Sequence, residues 1–329
     1  MNTLRRCTEK QEWDEYALDN RGHPLQLWGW GEVKKASGWK VDRQFLLNDE
    51  LKIIGAAQIL IKKLPWPFRS LAYIPRGPIA KGENIEFFLD LLSEHIKKFY
   101  RSVALKIEPD AVDFNVPSGW VRTDNFILPA WTISLDLNRP EADLLADIEN
   151  QTRRYIRKSD IETIKIKKIN SKAELEKCLD IYHETSKRAK FALHGDNYYY
   201  DIFDKLADNS PVFAAYFEGE PIAFLWLAIT KEVAYEFYAG MNDMGRKLNA
   251  NYALKWYAIR KCREWGIDRY DFGGIIAGGV ESFKNSWAKE DTKLAGTFDK
   301  PLNSTYVIWD KLLPSGKKII RKIKSIIRI

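Results

Sequence analysis

Gln26-Leu27-Trp28-Gly29-Trp30-Gly31 has the Q-x-x-G-x-G spacing with which a loop can turn successive backbone N–H groups onto a pyrophosphate. That use requires a strand before the loop, a helix after it and room for the backbone to approach. No clear strand precedes Gln26, and two Trp side chains sit inside the segment, so coincidence is expected. Glu108-Pro109-Asp110 closes a run that reads as a strand, where a carboxylate can orient an amine; a solvated turn is the plainer expectation. Gly273-Gly274 and Gly278-Gly279 flank another strand end and read as turns. Arg153, Arg154, Arg157 and Lys158 fall on roughly two turns of helix, suited to phosphate contact or to a solvated face. There is no P-loop, G-x-G-x-x-G or G-x-S-x-G, so nucleotide hydrolysis, dinucleotide binding and serine hydrolysis lack support. Cys7, Cys178 and Cys262 are odd in number and widely spaced, which excludes a disulfide framework and a zinc ribbon. His23, His95, His183 and His194 have no metal-binding spacing, so no metal is expected.

The elements that must carry these residues belong to a chain of 329 residues, long enough for two domains. Hydrophobic residues make up 45% and charged residues 29%, a globular balance that rules out wholesale disorder. No apolar run approaches the roughly 18–20 residues needed to cross a bilayer, and the N-terminus lacks the apolar core of a secretory signal. A reducing compartment, the cytoplasm, is expected. The net charge of +7 is 52 Lys+Arg minus 45 Asp+Glu. Lys311, Lys317, Lys318, Arg321, Lys322, Lys324 and Arg328 account for all of it, so the basicity is a tail.

Residues 8–19 read as a short helix, and RQFLLNDELKIIGAAQILI as two strands turning at Asn48-Asp49. SLAYIPRGPI is a third strand whose Pro75 and Pro78 make it an edge or end it early. Phe87, Phe88, Leu91, Leu92, His95, Ile96 and Tyr100 recur at helical spacing, and SVALKIEP follows as a strand. The same order returns about 170 residues later. VFAAYFEGEPIAFLWLAI turns at Glu218-Gly219, EVAYEFYAGM is a third strand, LNANYALKWYAIRKCREWG is a helix closed by Gly266, and IDRYDFGGI is a strand. We therefore expect an α/β fold with mixed sheets in two related domains, 1–150 and 151–308, packed together, with 309–329 as a basic amphipathic helix.

QLWGWGEVKKASGW, AYIPRGP, LKIEPD, PAWTISLDL, TRRYIRKS, YAGMNDMGRKLNANYALKWYAI, YDFGGI and ESFKNSWAKEDTKLAGTFDKPLN occur in this order over about residues 23–305. The series resembles the Fem family (FemABX) of non-ribosomal peptidyltransferases. These enzymes move an amino acid from aminoacyl-tRNA to the stem-peptide amine of a peptidoglycan precursor. The resemblance implies two tandem N-acyltransferase-like domains, agreeing with the repeat. It implies no cofactor. The family's larger members insert a helical hairpin in the second domain; here Met241–Lys247 runs straight into the next helix, so no arm is expected.

By the same resemblance, Phe283 and Lys284 are the pair beside the aminoacyl end of the tRNA. Lys34, or Lys35 in the alternative register, is assigned to the phosphates of a nucleotide-linked or lipid-linked precursor; Arg76, beside a loop, can serve them too or make a cap or salt bridge. His194 and Tyr198 stand where the family has a basic residue and a Tyr, with Arg188 able to stand in for an Arg; Tyr238 is placed at the peptide end of the cleft. Arg153, Arg154, Arg157 and Lys158 are assigned to the tRNA backbone. Ile319, Ile320, Ile323, Ile326 and Ile327 lie opposite the tail's cations, so the tail docks either on the protein body or on the inner face of the membrane. Two alternatives stay open: an acyl-CoA N-acyltransferase, and a silent homologue that binds tRNA or membrane.

Overall fold

A computed structural model describes residues 2–80, 82, 84–161, 164–275 and 283–312. These fall into two compact units. One comprises the described residues of Met1–Asn20, Ser37–Ala130 and Leu294–Ile329, the other Arg21–Ala36 and Trp131–Lys293. Besides lending Arg21–Ala36 to the second unit, the chain changes unit near 130 and near 294, in place of the divisions expected at 150 and 308. The cause is two short strands: Ser134–Asp136 completes the second unit's sheet, and Phe298–Pro301 joins the first.

The first unit's sheet runs in the order Thr3–Arg6, Lys40–Leu47, Ile53–Lys63, Ser70–Pro75, Ala104–Glu108, Phe298–Pro301, Val121–Arg122, with Ile79–Ala80 beside Ile53–Lys63. The first hairpin closes on Asn48, whose Oδ1 accepts from the N–H groups of Glu50 at 3.1 Å and Lys52 at 2.9 Å. The third strand stops at Pro75 as expected but is interior, antiparallel to Ile53–Lys63 and parallel to Ala104–Glu108. Parallel pairing needs a crossover, and the helix Asn84–Tyr100 supplies it. Phe88, Leu89, Leu92 and Ile96 form its buried stripe, whereas Phe87 faces outward, contrary to the sequence reading. Glu108 also departs from expectation: it is buried, and accepts from Tyr73 Oη, the N–H groups of Ile127 (2.6 Å) and Leu128 (3.0 Å), and Thr297 Oγ1 (3.0 Å). It is a structural clamp, with its lone pairs already occupied. Lys106 and Asp299 meet at 2.7 Å in the interior and pin the returning strand.

The second unit repeats the pattern in the order Lys165–Lys168, Val212–Phe217, Glu220–Ile229, Val233–Met241, Arg269–Asp271, Ser134–Asp136. Its hairpin turns at Glu218 and Gly219, both with positive φ (51° and 87°), as a two-residue turn requires. The crossover to the parallel strand Arg269–Asp271 is the helix Ala250–Glu264, followed by Gly266 at φ 70°. Between Met241 and that helix lies only Asp243–Lys247. No helical arm is inserted among the described residues. The repeat reaches further back than the sequence indicates: Lys165–Lys168, Lys172–Ala189 and Asp196–Leu206 precede the second hairpin as Thr3–Arg6, Lys10–Asp19 and Trp28–Ala36 precede the first. The basic tail lies outside the described residues after residue 312, and no described helix is long and apolar enough to cross a membrane.

Gln26–Gly31 is no phosphate loop. A 3-10 turn, Pro24–Gln26, leads into the helix Trp28–Ala36, which packs on Asp196–Leu206. A Cβ at Gly29 would lie 2.2 Å from the Lys205 carbonyl oxygen, so this glycine permits close helix approach. Gly29→Ala should cost about 1–3 kcal/mol, read as a lower urea midpoint with unchanged m. An unchanged midpoint would show that the two helices do not hold this spacing.

Candidate active site

A cavity of about 500 Å³ opens in the second unit. Strands Glu220–Ile229 and Val233–Met241 form one wall through Phe224, Glu236 and Gly240. Helices Lys172–Ala189 and Ala250–Glu264 add Thr185, Arg188, Tyr252 and Lys255, and Phe283 and Lys284 close it. The helix carrying Arg188 is fixed at its start by its N-cap: Ser171 Oγ accepts from Glu174 N–H at 3.3 Å, and the Glu174 carboxylate accepts from Asn170 N–H at 3.0 Å. The pairing of the two wall strands shifts between Trp226 and Leu227, leaving Phe237 as an extra residue. Glu236, before that bulge, lines the cavity; Tyr238, after it, packs among Tyr182, Tyr199 and Trp226.

Lys284 Nζ donates to three backbone carbonyls: Phe272 at 2.5 Å, Gly274 at 3.1 Å, and Gly273 between them. Burial pulls its pKa down to about 8; the nearby Lys255 acts in the same direction, while Glu236 and Asp271 oppose. Lys255 and Glu236 form a buried pair at 2.5 Å, and Tyr270 Oη donates to the same carboxylate oxygen at 2.7 Å. Lys255 also lies 4.4 Å above the Phe272 ring and 5.3 Å from that of Phe283. Burial lowers its pKa too, with Glu236 opposing. Lys255 and Glu236 balance each other's charge, so Lys284 is the group on this floor that titrates close to neutrality. Such a floor can hold a developing oxyanion and relay a proton without a protein nucleophile. All three thiols are buried, and burial pushes Cys178 up to about 12 and raises Cys7 and Cys262, which leaves them unreactive.

Of the residues singled out in the sequence, Lys284, Phe283 and Arg188 meet at this cavity; Arg188 also donates to the Met241 carbonyl at 2.9 Å. Lys34, His194, Tyr198 and Tyr238 form a second cluster. Lys34 Nζ donates to Tyr198 Oη at 2.7 Å and sits 4.2 Å above the Trp30 ring; His194 stacks on Tyr198 at 4.1 Å; Tyr198 and Tyr238 are hydrogen-bonded. Lys35 points elsewhere, exposed and 3.6 Å from Glu32, so Lys34 is the register that reaches the aromatic cluster. Arg76 is buried in the first unit, donating to the Pro129 carbonyl at 2.9 Å. Arg153 is likewise occupied: its guanidinium donates to the carbonyls of Leu145 (3.0 Å) and Ile148 (2.5 Å), capping the helix Glu141–Asp147. Arg154, Arg157 and Lys158 remain exposed. Glu236 and Lys255 escaped the sequence reading, although a Lys amid Ala253, Leu254, Trp256 and Ala258 breaks an apolar helix face.

A family model described as the FemAB family matches residues 8–115, 119–220 and 218–312. Curated relatives include a lipid II:glycine glycyltransferase of Staphylococcus epidermidis, 23% identical, covering 93% of this chain and 96% of the relative. Another of the same name from Staphylococcus aureus is 24% identical, covering 95% and 98%. The alignments run over 404 and 418 positions, so both relatives carry inserted segments. Among solved structures, a crystal structure of FemX superposes with a TM-score of 0.82 at 18% identity, covering 94% of this chain and all of that one. A tandem GNAT protein from the clavulanic acid biosynthesis pathway gives 0.53 at 11%, covering 92% and 99%. The fold is a tandem pair of N-acyltransferase-like units.

Proposed function

The chain belongs to the FemAB family and is a transferase, and on that premise we propose that it moves an amino acid from an aminoacyl-tRNA onto the stem-peptide side-chain amine of a peptidoglycan precursor. The observation that carries this reading is Lys284, held at the cavity floor beside the Glu236–Lys255 pair. The relatives' names specify lipid II and glycine, which favours a lipid-linked acceptor and makes glycine the first donor to test.

An ester already activated by its ribose needs alignment, a partner for the oxyanion and a path for one proton. The acceptor nitrogen attacks the ester carbonyl carbon and the C–N bond forms. The intermediate then collapses, the C–O bond to ribose breaks, and the proton lost from nitrogen ends on the ribose oxygen. All three protons of the Lys284 ammonium are engaged by carbonyls, so it meets the oxyanion by exchanging one of them. Lys34, between Trp30 and Tyr198, offers a cation to the precursor's phosphates, and Arg154, Arg157 and Lys158 offer theirs to the tRNA backbone. The acyl-CoA reading loses the feature that would set it apart, because Gln26–Gly31 leads into a packed helix.

The test combines purified chain, radiolabelled aminoacyl-tRNAs and either lipid-linked or nucleotide-linked precursor. Label is expected in a precursor, from glycyl-tRNA first. Acetyl-CoA turnover without any label transfer would overturn the proposal.

A further inference from the structure

We infer that one end of the first unit, built from the 64–69 loop and the 306–312 helix, is a docking face for the surface of an anionic lipid bilayer. This goes beyond the proposed transfer, although a lipid-linked acceptor would make use of it. Trp66 is 91% exposed, and Val307, Ile308 and Leu312 are 59%, 54% and 53% exposed. They stand on a fixed base. Phe68 and Trp309 pack ring to ring at 5.2 Å, and Leu64 and Phe68 bury against Leu71, Val103, Ala104 and Tyr306. Lys63, Arg69 and Lys311 are exposed on the same elements. The acidic residue there, Asp310, is bound by Asn125 Nδ2 at 2.7 Å and Thr123 Oγ1 at 3.3 Å. In sequence, residues 313–329 carry Lys317, Lys318, Arg321, Lys322, Lys324 and Arg328 and no Asp or Glu.

A tryptophan at the end of a loop, flanked by cations, suits the headgroup region, where its ring is half in hydrocarbon and lysine or arginine meets lipid phosphate. RNA would also attract the cations and stack on Trp66. It offers little to Val307, Ile308 and Leu312, whose apolar side chains an acyl boundary would bury. Charge and apolar area together favour the bilayer.

The full chain is floated with vesicles of phosphatidylcholine alone and with vesicles in which about a third of the lipid is phosphatidylglycerol; tRNA binding is measured in parallel. Binding is expected to the anionic vesicles only. Trp66→Ala should weaken it about tenfold, and Lys63→Glu with Arg69→Glu by at least about tenfold. Melting temperature and transfer to a nucleotide-linked precursor should stay unchanged, since none of these side chains lines the cavity. Equal binding to both vesicle types overturns the inference, as does anionic-vesicle binding that persists in both variants. Variants that lose tRNA and keep vesicles would make the face an RNA surface instead. Flotation is read without turnover, so the face stands or falls separately from the reaction.

Discussion

Lys284→Ala lowers kcat for aminoacyl transfer by about 10²–10³-fold and leaves the precursor KM within about twofold. The reason is where the charge acts. In the free protein the ammonium is bound by three carbonyls, so its contact with the ester oxygen arises as the oxyanion forms, and losing it costs rate more than affinity. Lys284→Arg does not rescue. A planar guanidinium cannot converge on three carbonyls as a compact ammonium does, and it stays charged throughout the working range. The pH profile carries the same argument. With a pKa of about 8, the ammonium population falls as pH rises through 8, giving kcat a descending limb there. The acceptor amine needs its neutral form and supplies the ascending side; a free alkyl amine titrates at about 10, so the limb at 8 is read as a downward bend on that rise. Residual activity of Lys284→Ala should lack the descending limb. A loss under threefold with the limb retained would take the assignment from Lys284 while leaving the transfer intact.

The order of elements was legible because each half alternates long apolar strands with one amphipathic helix, and those runs need no partner to be seen. What failed to show depends on partners distant in sequence. Phe298–Pro301 and Ser134–Asp136 are too short for a periodic signal, so nothing in the pattern marks a change of unit near 130 or 294. Arg153 reads as part of a basic cluster, but its role is decided by carbonyls that only the fold brings within 3 Å of it. Gly29 fits a phosphate-loop spacing, yet its reason is a carbonyl on another helix. Lys284 was found only through the resemblance of its surroundings to a family, because a Phe-Lys pair carries no periodicity. Lys255 did leave a local trace, as the one cation on a helix face of Ala, Leu and Trp, and that breach of pattern marks the buried charge on which the site depends.

Glu236→Gln and Lys255→Met should each destabilise the chain by about 3–5 kcal/mol, because each leaves a partner's charge buried and unpaired. Urea unfolding followed by circular dichroism measures the loss. Their effects on Lys284 should have opposite signs. Glu236 favours the Lys284 ammonium, so Glu236→Gln moves the descending limb of the pH profile below 8. Lys255 disfavours that ammonium, so Lys255→Met moves the limb above 8. Combining both substitutions removes the whole pair. Stability should then recover much of the loss, because neither charge is left buried without its partner, and the limb should return towards 8. Shifts in the same direction, or a double variant as unstable as the sum of the two, would mean that the pair does not set the charge of Lys284. General loosening of the fold would hydrate Lys284 in both single variants and move its limb upward in both. A downward shift in Glu236→Gln alone, at equal cost in stability, therefore has to come through charge.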